Sequence, residues 1–175
     1  MIITILGAAV LAVAVAGAIL LGFRLAGRKP PPGTLPLAAG VALIAFFVWN
    51  DYTWYRRTSE QLPDHIQVAR TYPSSHMLQP WTYLVPHIAR FSAVDTGSLK
   101  RNDSAPGYVL ARIFLAERYV PTIEAWQIYD CNGGRSADVG KDTEFGDDGL
   151  PADATWHDLT EDDAFRPLIC GDAGG

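Results

Sequence analysis

Twenty-two consecutive residues, Ile2 to Phe23, carry no charged side chain, and a second apolar run, Leu35 to Trp49, follows a short basic, proline-rich break. A helix crosses the roughly 30 Å hydrocarbon core of a bilayer with about 20 apolar residues at 1.5 Å each. The first run reaches that length unaided, so the opening of the chain is expected to be a transmembrane helical hairpin. The expected division is residues 1–55 as the hairpin, with spans at about 2–23 and 35–55, then a connector over 56–62 and a β domain over 63–175.

A cleaved secretory signal is the competing interpretation of the first run. It calls for a basic segment before the apolar core, an apolar core of about 7–15 residues and a small-residue cleavage site. Here no basic residue precedes the run, the run is longer, and a second hydrophobic segment would be left unexplained by cleavage. A retained anchor fits better.

Orientation follows from Arg24, Arg28 and Lys29, positive charges packed into the connection between the spans, where the positive-inside rule weighs them most. The connection is therefore expected in the cytoplasm, and both termini outside it. Arg56 and Arg57 pull the other way, but Asp51 and Glu60 flank them. The composition and topology read as bacterial, which points to the inner membrane and a periplasmic β domain.

The connection Gly27-Arg-Lys-Pro-Pro-Pro-Gly33 predicts a stiff turn, because prolines hold polyproline geometry and donate no helix hydrogen bond. Thr34 is the expected N-cap, with Pro36 in the first helical turn. Leu35 to Trp49 covers only about 22 Å at helical rise, so Trp49, Tyr52, Trp54 and Tyr55 are expected to complete the crossing in the headgroup zone. In the first span Ala8, Ala12 and Ala16 recur every fourth residue, and Ala14, Ala18 and Gly22 repeat the pattern on another face. Small residues at that spacing let helix backbones approach, here most simply between the two spans. The plainer explanation is that alanine is common in apolar helices.

Beyond Pro63 the periodicity changes from helical to alternating. Ile66 and Val68 alternate with polar residues, as do Ala89, Phe91 and Ala93, the pattern of half-buried strands. Tyr108–Val120 and Thr122–Cys131 are rich in branched and aromatic residues, with Pro121 between them, and are expected to be adjacent strands. Asn132-Gly-Gly134 predicts a tight hairpin returning through a strand over Arg135–Val139. Pro73–Pro86 contains too many prolines for a regular helix, and its Trp81 and Tyr83 are expected mainly in the core. Asp95–Gly107 predicts a loop; its Asn102-Asp-Ser104 glycosylation triplet is discounted in a bacterial chain. The fold class is a small antiparallel β-sheet or barrel behind a helical hairpin.

Cys131 and Cys170 are the only cysteines, and both fall on the side assigned to an oxidising compartment, so a structural disulfide is expected. No Cys-x-x-Cys pair, zinc spacing or haem attachment sequence competes with it. Tyr129-Asp-Cys131, a following Arg135, a late Trp156 and a terminal Leu168-Ile-Cys170 resemble the small periplasmic β modules of the surface-adhesin E type. That resemblance covers about the last 65 residues. It implies a disulfide-closed β domain; the acidic insertion after Val139 and the two spans lie outside it.

Residues 130–175 hold twelve acids against three bases, a net charge of −9, while residues 1–129 carry +4. Phosphate would repel the acidic end, which argues against a nucleic-acid partner. Asp142-Thr-Glu144-Phe-Gly-Asp147-Asp148-Gly149 has the oxygen ligands and glycines of a calcium loop, yet no register satisfies the EF-hand offsets, leaving a solvated acidic loop. Glu161, Asp162 and Asp163 suit the start of a short helix through Phe165. His65, His76 and His87 recur every eleven residues, but prolines remove the helix that would align them. His76 beside Met77 suits copper chemically, although a site needs three or four ligands. No metal or other cofactor is expected, and His157 is read as a surface or half-buried residue.

No Gly-x-Ser-x-Gly elbow, His-Glu-x-x-His, phosphate-cradling loop or Ser-x-x-Lys is present, so no catalytic residue is assigned. The expectation is an anchored extracytoplasmic interaction module, with the lipid bilayer and a membrane protein as partners. A membrane-tethered hydrolase or metal-handling enzyme is the rival, and would show His65, His76 or His87 gathered with carboxylates in a concave pocket.

Overall fold

The computed structural model describes residues 2–77 and 79–171, so Asp172 of the acidic end lies outside the described residues. The chain forms two compact units, Met1–Trp54 and Tyr55–Gly175.

The first unit holds helix α1 (Ile2–Leu25) and most of helix α2 (Thr34–Ser59). Both are long and apolar enough to cross a membrane. In α1 a hydrocarbon solvent would find every interior backbone group already bonded within the helix, the condition a spanning segment must meet. Its end is set by Gly27 at φ +66°, where the Gly27 N–H donates to the Arg24 carbonyl at 3.1 Å and the Arg28 N–H to the Phe23 carbonyl at 2.9 Å. That is a Schellman stop, and it needs a residue free to take the left-handed region. At the start of α2 the Leu37 N–H donates to the Gly33 carbonyl at 3.1 Å, so Gly33 takes the cap position expected of Thr34.

Ala8 is buried and Ala12 and Ala16 are half-buried, whereas Ala14, Ala18 and Gly22 are exposed. A Cβ added at Gly7 would lie 3.7 Å from Phe46 Cζ, which brings a ring of α2 against the first turns of α1. Helix α2 does not stop at the aromatic cluster but runs on to Ser59, absorbing the first part of the expected connector. Its last turn contains Arg56 and Arg57, a favourable place for cations beside the free carbonyls.

The second unit is one antiparallel sheet curled into a half-barrel. Its strands are β1 (Ile66–Ser74), β2 (His87–Asp95), β3 (Lys100–Arg101), β4 (Tyr108–Glu117), β5 (Ile123–Asp130), β6 (Arg135–Val139) and β7 (Trp156–Asp158). The order is β1-β2-β4-β5-β6-β7, with the short β3 also paired to β4. The stretch Asp95–Gly107, expected as loop, therefore contributes β3 and a 3-10 turn at Thr96–Ser98. Between β5 and β6 the Asn132-Gly-Gly segment forms a four-residue connection in which only Gly134 has positive φ, at +65°.

Strand alternation divides the side chains between two faces. Val109, Ala111 and Ile113 of β4 point to one face and meet Val94, Tyr129 and Ile169 in the main core. Ile169 comes from α3 (Arg166–Cys170), a single turn whose first amides, those of Phe165 and Arg166, donate to Asp163 Oδ1 at 2.9 and 3.0 Å. The Cys131–Cys170 disulfide, Cα–Cα 5.7 Å, fixes this turn against the end of β5. On the other face Ile128 and Ala137 are register partners and both are buried, so the end of β5 is covered on both sides.

Trp81 and Tyr83 are exposed, contrary to the expectation that they fill the core. The reason is local. Pro80 starts a 3-10 turn over Pro80–Tyr83, and the buried residue in it is Thr82, whose hydroxyl donates to the Gln79 carbonyl at 2.6 Å and accepts from the His76 N–H at 3.0 Å. Satisfying that polar anchor inward turns its aromatic neighbours outward.

Candidate functional site

The hairpin that returns β5 into β6 brings Asp130 and Arg135 opposite each other in register. Asp130 is buried; its carboxylate accepts the Gly133 N–H at 2.7 Å and Arg135 Nε at 2.9 Å. A Cβ at Gly133 would run into that carboxylate, so the turn requires glycine here for space, not for φ. Burial alone would raise the Asp130 pKa, but the bonds from Gly133, Arg135 and Tyr108 outweigh it and hold the carboxyl below its ordinary value. Hydrogen bonds to Asp130 and Tyr108 in turn raise the Arg135 pKa, so Arg135 is a permanent cation.

The Arg135 guanidinium lies over the Trp156 ring at 4.8 Å, and Trp156 meets Tyr108 edge to face at 5.9 Å. Tyr108, Arg135 and Trp156 form one wall of an open cleft of about 560 Å³, and the acidic turn Gly146–Ala152 forms the other. The acids of that turn are exposed to solvent, as expected, while its backbone is held in place. Asn102 Nδ2 donates to the Asp148 carbonyl at 2.8 Å, the Gly146 N–H donates to the Leu150 carbonyl at 2.8 Å, and Gly149 sits at φ +71°. The Asn102 amide that composed a glycosylation triplet is thus used to pin the insertion. Chemically the cleft presents a planar, partly exposed donor stacked on an aromatic face, suited to holding a carbonyl or carboxylate oxygen beside an apolar group. Among the described residues its wall contains no serine, cysteine or histidine.

A second polar cluster lies on the outer face. Asp95, buried, bonds to Arg112, whose guanidinium also stands over Trp126 at 5.8 Å and reaches Glu124 at 3.8 Å, with Lys100 Nζ 5.7 Å from the same indole. Burial raises the Asp95 pKa, and the bonds from Arg112 and Ser98 then carry it below the ordinary range. Sequence reasoning passed over Tyr108, Asp95 and Arg112. The signal present was an arginine in the middle of an otherwise apolar strand; its partner, 17 residues away, is set only by register.

His65 precedes β1 and His76 follows it, so these two lie at opposite ends of a nine-residue strand. His76 Nε2 is 3.1 Å from Ser74 Oγ, and His87 is buried, its pKa lowered by burial and by the charge of His76. Among the described residues no group of histidine, cysteine or acidic side chains is placed to hold a metal ion. An acidic cleft of about 690 Å³ is lined by Asp138, Asp142, Glu144, Asp153 and the exposed His157. Arg24, Arg28 and Lys29 are exposed at the turn between the helices. Of the aromatic cluster, Trp49 is exposed, Tyr52 and Trp54 are half-buried, and Tyr55 packs edge-on against Phe91 of β2 at 5.6 Å. Comparison with known proteins finds no matching family model, no matching curated sequence and no matching solved structure.

Proposed function

We propose that this chain is an anchored interaction module of the bacterial inner membrane, its β unit in the periplasm, serving as an accessory subunit of a membrane complex or as a surface binding domain. The observation that carries the reading is covalent continuity between two helices apolar enough to cross a bilayer and a sheet closed by a disulfide. Basic residues at the helical turn and an oxidised cysteine pair in the sheet agree on which unit faces the oxidising side. The Arg135–Trp156 wall supplies the contact chemistry for a protein partner, since arginine and tryptophan dominate interface hot spots.

Topology is the first test. In intact spheroplasts a membrane-impermeant maleimide should label Ser104→Cys and leave Arg28→Cys untouched until the membrane is opened. The reverse pattern refutes the orientation, and labelling of neither before lysis refutes the periplasmic assignment. Partner binding is tested by purification in mild detergent: a stoichiometric companion retained by the parent chain and lost with Trp156→Ala supports the subunit role, and a monomer in both cases refutes it.

A further inference from the structure

One end of the β sheet carries an apolar rim, and we infer that this rim rests in the headgroup layer of the bilayer that anchors the chain, resting on the membrane reading above. The rim has two parts. The 3-10 turn between β1 and β2 exposes Trp81, Tyr83 at 62% and Leu84 at 87%; the turn between β4 and β5 exposes Tyr119, Val120 and Ile123. The two turns belong to the same end of the sheet: Ser74 pairs with His87 across the first, and the Arg118 N–H donates to the Ala89 carbonyl at 3.1 Å across to the second. Large exposed apolar groups gathered from separate turns mark a contact surface.

Two further observations select lipid as the occupant. Charge differs between the two ends of the sheet. Residues 75–86 contain no aspartate, glutamate, lysine or arginine and Arg90, Glu117 and Arg118 flank the rim, whereas Asp95, Asp103, Asp130, Asp147 and Asp148 lie toward the opposite end with Lys100, Arg101 and Arg135. The rim's small positive excess suits anionic headgroups better than the acidic excess at the far end. Finally, the exposed rings are tryptophan and tyrosine, amphipathic side chains that favour the interface between hydrocarbon and water. The turn that presents them is itself constrained: Tyr119 holds φ +66°, with the Arg118 guanidinium 4.5 Å from its ring centre. A non-glycine residue persists in that region only where the surroundings impose it.

The test uses the full chain in nanodiscs of phosphatidylethanolamine and phosphatidylglycerol, with a nitroxide on Leu84→Cys or Val120→Cys and power saturation against oxygen and a water-soluble nickel chelate. The native sulfurs are paired and take no label. Ser104→Cys, at the far end, reports water, and Val13→Cys, exposed in mid-α1, reports the hydrocarbon. The expected result is an oxygen-to-nickel accessibility ratio at Leu84 and Val120 several-fold above that at Ser104 and below that at Val13. Ratios at both rim sites equal to Ser104, with Val13 deep, overturn the lipid contact while leaving the anchor standing. A water-like ratio at Val13 overturns the membrane reading, and the rim contact with it.

Discussion

Removing the cross-link by Cys131→Ala with Cys170→Ala isolates the disulfide's contribution to the β unit. The cysteines are separated by 39 residues, so the oxidised unfolded chain carries a closed loop of that size. In the chain-entropy treatment a loop of about 40 residues lowers the unfolded state's entropy by about 13 cal/mol/K, or about 4 kcal/mol at 25 °C. Two structural features keep the native side from absorbing that loss: α3 is a single turn, and its one buried residue, Ile169, adjoins Cys170. For a domain of this size the loss should lower the melting temperature by roughly 10–20 °C. The assay is a thermal melt of the full chain in detergent, followed by near-ultraviolet circular dichroism, which reports fixed aromatic packing around Tyr129 and Trp156. A urea titration adds an independent sign: the uncrosslinked unfolded chain exposes more surface, so the slope of stability against denaturant should rise. A melting temperature within a few degrees of the parent, with an unchanged slope, would refute the reasoning and show that apolar contacts alone hold the C-terminal turn.

Ile169→Ala, with the disulfide intact, should cost about 3–4 kcal/mol, because the residue is fully enclosed and its tethered neighbour limits collapse of the cavity. A shift in denaturation midpoint worth less than about 1 kcal/mol would show that the site relaxes. Acidification should destabilise the β unit. Asp95 and Asp130 both have native pKa values below the ordinary one, so the unfolded chain takes up protons first as the pH drops. Their contribution is complete above the ordinary carboxylate pKa of about 4 and is lost as the pH falls through the lower native values. Asp95→Asn should lower stability at neutral pH by about 1–3 kcal/mol, the buried-pair figure reduced because the Arg112 side chain is 32% exposed, and should flatten the acid limb. An acid limb as steep as the parent's would locate the titration elsewhere.

Elements whose cause is local were legible in the order of the residues. Hydrocarbon-length apolar runs can only be helices if lipid surrounds them, Gly27 and the prolines must interrupt them, and alternation at β4 assigns Val109, Ala111 and Ile113 to one face before any partner is known. The cysteine pairing was equally legible, since only one pairing is possible. Tertiary structure decided whatever depends on residues distant in the chain. Register alone places Asp95 against Arg112 and Trp156 beneath Arg135. The inward hydrogen bonding of Thr82 turns Trp81 and Tyr83 to the outside, reversing what their size implies. Hydropathy records how much a side chain gains from leaving water; it does not record which neighbour in a turn must be satisfied first, and at that turn the buried hydroxyl prevails.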